Sequence, residues 1–138
     1  RACAVHERLC FTLCEKLANI PGVTTEIWVS GEVDHAFFVR LSALFGVRVR
    51  AQVAGDLGAK MTASLRSGLL RAPCVVIVGG DCLSVDADYV LNAFAALDVP
   101  HDAVFGPALD GGYVLVGARS CNEAMFEQVS WGSDQALQ

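Results

Sequence analysis

The sequence predicts an α/β domain with a largely parallel sheet, and three observations carry that reading. Helix-periodic and strand-like stretches alternate along the chain in α-β-α-β order. A continuous apolar run, Cys74 to Val78, is rich in β-branched residues and has no polar alternation, as a strand covered on both faces would be. Glycine-acid loops follow the strands, at the end where open α/β sheets bind ligands.

The elements follow from the N-terminus. Val5, Leu9, Leu13, Leu17 and Ile20, with Cys10 and Cys14 beside them, form one apolar helical face that Pro21-Gly22 ends. Thr24 to Val29 is a strand by its β-branched and aromatic content, closed by Ser30-Gly31. Val33, Phe37, Leu41, Leu44 and Phe45 repeat at helical spacing until Gly46. Val47 to Val53 alternates apolar and polar, as a half-exposed edge strand does. Ala54-Gly55-Asp56 is a loop with Asp56 placed to cap a third helix, marked by Leu57, Met61, Leu65 and Leu69. The central strand comes next, bounded by Pro73 before and Gly79-Gly80 after. Val90, Phe94 and Leu97 mark a fourth helix, broken at Pro100. Ala103 to Phe105 and Tyr113 to Val116 are short strands, and Met125, Phe126 and Val129 suggest a last short helix before Trp131.

At 138 residues the chain reads as one domain, residues 1–138, long enough to bury a core. It is 54% hydrophobic with a mean hydropathy of +0.46, yet no apolar run approaches the ~18–20 residues that a membrane span requires. Net charge is −5 with a pI near 5.0, and the basic residues are scattered, which argues against nucleic acid and membrane surfaces as partners. The six cysteines contain no C-x-x-C pair. They read as small core residues of a reducing compartment, and the expected location is cytoplasmic. No signal peptide is visible, and the chain opens on Arg1 rather than Met.

Three loops, Gln52 to Lys60, Gly79 to Ser84 and Gly106 to Gly112, should line one rim of the sheet. Gly79 and Gly80 let the backbone bend sharply and deliver Asp81 at a strand's carboxyl end. An acid there can hold Mg²⁺ or Mn²⁺ against a phosphate-bearing substrate, or merely cap a turn. The G-D-L-G-A-K loop sets backbone N–H groups and Lys60 at a helix N-terminus, suited to an anion or simply an ordinary capped start. Asp110-Gly111 reads equally as a tight hairpin turn or as part of a ligand site.

Taken together, Gln52 to Met61 (Q-V-A-G-D-L-G-A-K-M), Val76 to Cys82 (V-I-V-G-G-D-C), Val104 to Gly117 (V-F-G-P-A-L-D-G-G-Y-V-L-V-G) and the closing Trp131 to Ser133 (W-G-S) resemble one family. It is the uncharacterised bacterial glycosyltransferase-like, or selenium-domain-associated transferase, family of the nucleotide-diphospho-sugar transferase superfamily. Molybdenum-cofactor and phospholactate nucleotidyltransferases are relatives in the same superfamily. The resemblance spans nearly the whole chain and implies a three-layer sheet of glycosyltransferase-A type, lacking here the usual first strand and C-terminal segment, so that the domain reads as truncated at both ends. It further implies that Asp81 binds the divalent cation and nucleotide phosphates, with Gly80 beside it. Asp110, Gly111 and Gly112 should face donor or acceptor. Gln52, Gly55, Asp56 and Lys60 should lie near the nucleotide, and Trp131 and Ser133 near the same pocket. Leu83 stands where the family has Pro, and Gly132 where it has Ser.

Two functions of different class follow. One is glycosyl or nucleotidyl transfer from a nucleotide or nucleotide-sugar with Mg²⁺ or Mn²⁺, with Asp81 and Asp110 as catalytic residues. The other is an inactive domain that keeps the fold as a binding or interaction module. The run Val75 to Val78 is expected to be the most buried strand, with Tyr113 to Val116 antiparallel to it, the latter on the family resemblance. The family's sheet order puts its first strand between those at Thr24 to Val29 and Cys74 to Val78. Without that strand, either the two neighbours pair directly or a second copy covers the edge, and the apolar composition favours a homodimer.

Overall fold

The computed structural model describes residues 2–80, 82–97, 101–109 and 111–121, with the side chains of residues 2 and 3 excepted. The elements run α1 (Ala2–Leu17), β1 (Glu26–Val29), α2 (Ala36–Phe45), β2 (Arg48–Ala51), α3 (Leu57–Leu69), β3 (Val75–Val78), α4 (Ala87–Ala96), β4 (Ala103–Pro107) and β5 (Tyr113–Ala118). The helix expected around Met125 to Val129 lies outside the described residues. Close packing groups the described chain into two compact units, one from residues 2–52 and 80–87, the other from 53–79 and 88–121.

In the first unit β1 and β2 pair in parallel, with Glu26 opposite Arg48 and Val29 opposite Ala51. Helices α1 and α2 supply the core on one face of this pair. Cys14, Phe37, Leu41 and Val47 are buried together, with Cys10, Phe11, Ile27, Phe38 and Phe45 packed against them. Phe11 and Phe45 meet edge to face at 5.2 Å, a favoured aromatic geometry. Helix α2 starts later than the apolar spacing from Val33 suggests. His35 caps it by accepting the Phe37 N–H at Nδ1, and Val33 stays outside and exposed. Gly46 ends it in the left-handed conformation at φ 70°, which glycine adopts without a Cβ penalty. Val5, assigned to the apolar face of α1, is 61% exposed; that face is carried by Leu13 and Cys14.

The second unit holds a three-stranded sheet in the order β3-β5-β4, with both pairings antiparallel. The antiparallel pairing of Tyr113 to Val116 with Val75 to Val78 is as the sequence reading expected. The burial of Val75 to Val78 is not. Strand β3 pairs only with β5 among the described residues, and its four residues are half-buried. The central, most buried strand is β5, where Leu115, Val116 and Ala118 are 0–2% exposed. The reason is side-chain size. A Cβ on Gly117 would lie 2.9 Å from Val104 Cγ2 and 3.2 Å from both Leu97 Cδ1 and Val76 Cγ2. Position 117, packed between the flanking strands and Leu97 just past α4, thus has room only for glycine, and an apolar run alone does not encode the strand order.

Helix α3 packs on this sheet through Met61 and Leu65, buried with Val116 and Ala118, while Val75, Ile77, Tyr113 and Cys121 pack around them. Its carboxyl end meets the start of β3 at Gly68 and Val75, so helix and strand run in opposite directions. The amino end of α3 therefore lies at the carboxyl end of β3.

Candidate functional site

In the second unit that shared end collects most of the described candidate residues. Gly55 sits at φ 123°, a backbone few other residues adopt, and a Cβ there would stand 3.0 Å from Ala59 Cβ. Asp56 has extended backbone and caps α3, its Oδ1 accepting the Ala59 N–H at 2.8 Å. The cap takes one of the helix's orphan donors. The first-turn N–H groups of Leu57 and Gly58 carry the positive end of the helix dipole, where an anion is favoured. Lys60, half-buried, follows one turn in.

At the same end of the sheet β3 stops and β5 begins, tied by the Gly79 N–H donating to the Val114 carbonyl at 3.3 Å. Two backbone hydrogen bonds close a tight turn between β4 and β5. Ala108 N–H donates to the Gly112 carbonyl at 2.8 Å, and Gly111 N–H to the Ala108 carbonyl at 3.2 Å. Gly111 has φ 91°, which makes it a position for glycine. A register shift between Gly106 and Pro107 turns the strand end into this loop. Gly55, Asp56, Lys60, Gly111 and Gly112 thus share one end of the unit.

In the first unit Gln52 follows β2 at the carboxyl end of the parallel pair, its N–H donating to the Val29 carbonyl at 2.8 Å. Residues 80–87 belong to the same unit. Helix α1 braces them: Lys16 Nζ donates to the Leu83 carbonyl, and a Cβ built on Gly80 would lie 3.9 Å from His6 Cε1. The Val85 N–H closes a turn on the Cys82 carbonyl at 3.2 Å, and Val85 is fully buried. Asp81, Asp110, Trp131 and Ser133 lie outside the described residues.

Two contributions escaped the sequence reading. The Lys16–Leu83 hydrogen bond joins positions 67 residues apart, and no local pattern signals it. Beside the hairpin, Phe105 and Tyr113 stack at 5.0 Å, and the Tyr89 hydroxyl comes within 2.5 Å of where a Cβ on Gly106 would stand. Aromatics flanking the G-P-A-L-D-G-G block were the available signal for that cluster.

Among the described residues no three His, Cys, Asp or Glu side chains converge as a metal centre. The one proposed cation ligand is Asp81. A single carboxylate suits Mg²⁺ or Mn²⁺ when substrate phosphates complete the shell.

Comparison with known proteins places these features in a class. The structure matches a crystal structure from Desulfovibrio desulfuricans G20, assigned provisionally as a nucleotide-diphospho-sugar transferase. The TM-score is 0.81 at 26% identity, over 98% of this chain and 59% of that one. The fold is thus an α/β fold of the nucleotide-diphospho-sugar transferase kind. Residues 13–133 match the bacterial family described as "Uncharacterized protein conserved in bacteria (DUF2064)", and the chain belongs to that family. No match is found among curated proteins. No helix among the described residues is long and apolar enough to cross a membrane.

Proposed function

We propose that the chain binds a nucleotide-activated sugar and contributes the donor-binding core of a glycosyl- or nucleotidyl-transferase. The observation that carries this reading is the match, over 98% of this chain, to a nucleotide-diphospho-sugar transferase fold, with Gly55, Lys60, Gly111 and Gly112 at the carboxyl end of β3. Transfer from a nucleotide diphosphate requires charge neutralisation and in-line positioning more than covalent participation by the protein. The amino end of α3 and Lys60 would hold phosphate charge. The Gly111–Gly112 turn allows close backbone approach to the sugar or acceptor. Asp81 would hold Mg²⁺ or Mn²⁺, which supplies neutralisation of the diphosphate when bound. Asp110 would orient the acceptor, and Gln52, Trp131 and Ser133 would complete the nucleotide contacts.

The chain spans 59% of the solved relative's length. A second reading is a domain that keeps the fold as a binding or interaction module without turnover. Isothermal titration with a panel of nucleotides and nucleotide-sugars, with and without Mn²⁺, tests both. Saturable, Mn²⁺-dependent binding of a nucleotide-sugar followed by product formation supports transfer. Binding without turnover supports the module.

A further inference from the structure

Helix α3 covers only part of its sheet face. The cluster it builds joins Met61 and Leu65 to Val75 and Ile77 of β3 and to Tyr113, Val116 and Ala118 of β5. Strand β4 lies one strand further out. Phe105 of β4 pairs with Val116, which puts its side chain on the α3 face, beside that cluster. Phe105 is 41% exposed, the most of any aromatic residue among the described residues. The register shift between Gly106 and Pro107 brings Tyr113 to the same face, where its ring meets that of Phe105 at 5.0 Å with 36° between the planes. Tyr113 is the inner ring, half-buried against the α3 cluster, and Phe105 is the outer one. Tyr113 also follows directly on the Gly111–Gly112 turn. The two rings thus form a ledge at the end of the unit that holds this turn and the amino end of α3. Lys60 has no carboxylate partner among the described residues, so its charge there is open to an anion.

We propose that Phe105 and Tyr113 are the platform for the sugar of a nucleotide-activated donor, a pyranose laid with its C–H face on the exposed Phe105 ring. This rests on the reading that the chain binds a nucleotide-sugar. A pyranose carries hydroxyl groups around its rim and C–H bonds on its faces. It is therefore held by a flat apolar surface with polar groups at the edge, the usual make-up of a small-molecule site. Phe105 supplies the surface, and Tyr113 behind it fixes the ring in a favoured aromatic geometry. The turn, with no side chains at 111 and 112, lets backbone polar groups reach the rim of the sugar. The diphosphate takes the amino end of α3 and Lys60, on the side of the sheet where the rings stand. A nucleobase also stacks on an aromatic ring, and the experiment separates the two.

Calorimetric titration with UDP-glucose, ADP-glucose and GDP-mannose, each against its own nucleoside diphosphate in the presence of Mn²⁺, tests the platform. Three proteins are compared: the unsubstituted chain, Phe105→Leu, which keeps apolar bulk without a ring, and Phe105→Tyr, which keeps the ring. The expected result is that Phe105→Leu weakens nucleotide-sugar binding about tenfold and diphosphate binding by less than about twofold, the loss of one stacking contact. Phe105→Tyr should bind both as the unsubstituted chain does. Equal losses for nucleotide-sugar and diphosphate in Phe105→Leu would put the ring's role elsewhere than at the sugar and overturn the proposal. Unchanged binding in Phe105→Leu, or the same loss in Phe105→Tyr, would overturn it as well. In each of these cases the unsubstituted chain still binds a nucleotide-sugar, so the proposed function stands. Binding of no nucleotide-sugar by the unsubstituted chain is the distinct result that removes that function and the platform with it.

Discussion

The Asp56 carboxylate accepts the Ala59 N–H at 2.8 Å, so the acid of the G-D-L-G-A-K loop is turned to its own helix. That assigns Asp56 to stability rather than to metal or acid–base chemistry. Asp56→Ala is expected to lower unfolding free energy by about 0.5–2 kcal/mol, and Asp56→Asn to recover most of the loss. Urea denaturation of the three proteins measures this.

Gly68 faces Val75 so closely that a β-carbon would stand 2.5 Å from Val75 Cγ2. Helix propensity alone favours Ala over Gly by about 1 kcal/mol, but overpacking costs about 1–3 kcal/mol. The contact decides the sign, and Gly68→Ala should destabilise. A Gly68→Ala/Val75→Ala double variant should lose less than the sum of its parts, and thermal unfolding of the cycle checks it.

Glu26 and Arg50 form a 2.6 Å ion pair across the parallel strands, and Trp28 Nε1 also donates to Glu26. With Arg50 35% exposed, screening limits the coupling. A double-mutant cycle with Glu26→Gln and Arg50→Met should give about 0.2–1 kcal/mol at low salt, shrinking as salt is added.

How much of this could be read in the sequence depended on whether the signal was local. The Asp56 cap, the Gly46 stop and the turn between Ala108 and Gly112 are encoded within a few residues, and the spacing of Leu57 to Leu69 marks α3 to its ends. Strand order was not legible. The apolar run at Val75 to Val78 states a demand for burial, but among the described residues β5 sits at the centre and β3 pairs on one side only. Likewise the bracing of Leu83 by Lys16 depends on tertiary approach and leaves no periodic trace. For the candidate site, motif resemblance supplied the residues, and the topology then brought Gly55, Asp56, Lys60, Gly111 and Gly112 to one end.

Strand β3 carries four β-branched residues and, among the described residues, pairs on one side only. An edge without charge, proline or bulge is a template for another strand. We expect the chain to associate as a two-fold dimer with concentration. Sedimentation velocity over a hundredfold range should show a shift to dimer, and a persistent monomer at the highest concentration would contradict this.

The central claim is a nucleotide-sugar site that depends on Asp81. Calorimetric titration of the chain and of Asp81→Asn, each with nucleotide-sugars in the presence and absence of Mn²⁺, tests it most directly. The expected result is Mn²⁺-dependent binding by the unsubstituted chain, lost in Asp81→Asn while the circular dichroism spectrum stays unchanged. Equal binding by the two proteins would show Asp81 to be a turn residue, and absence of binding to any nucleotide-sugar would contradict the proposed function itself.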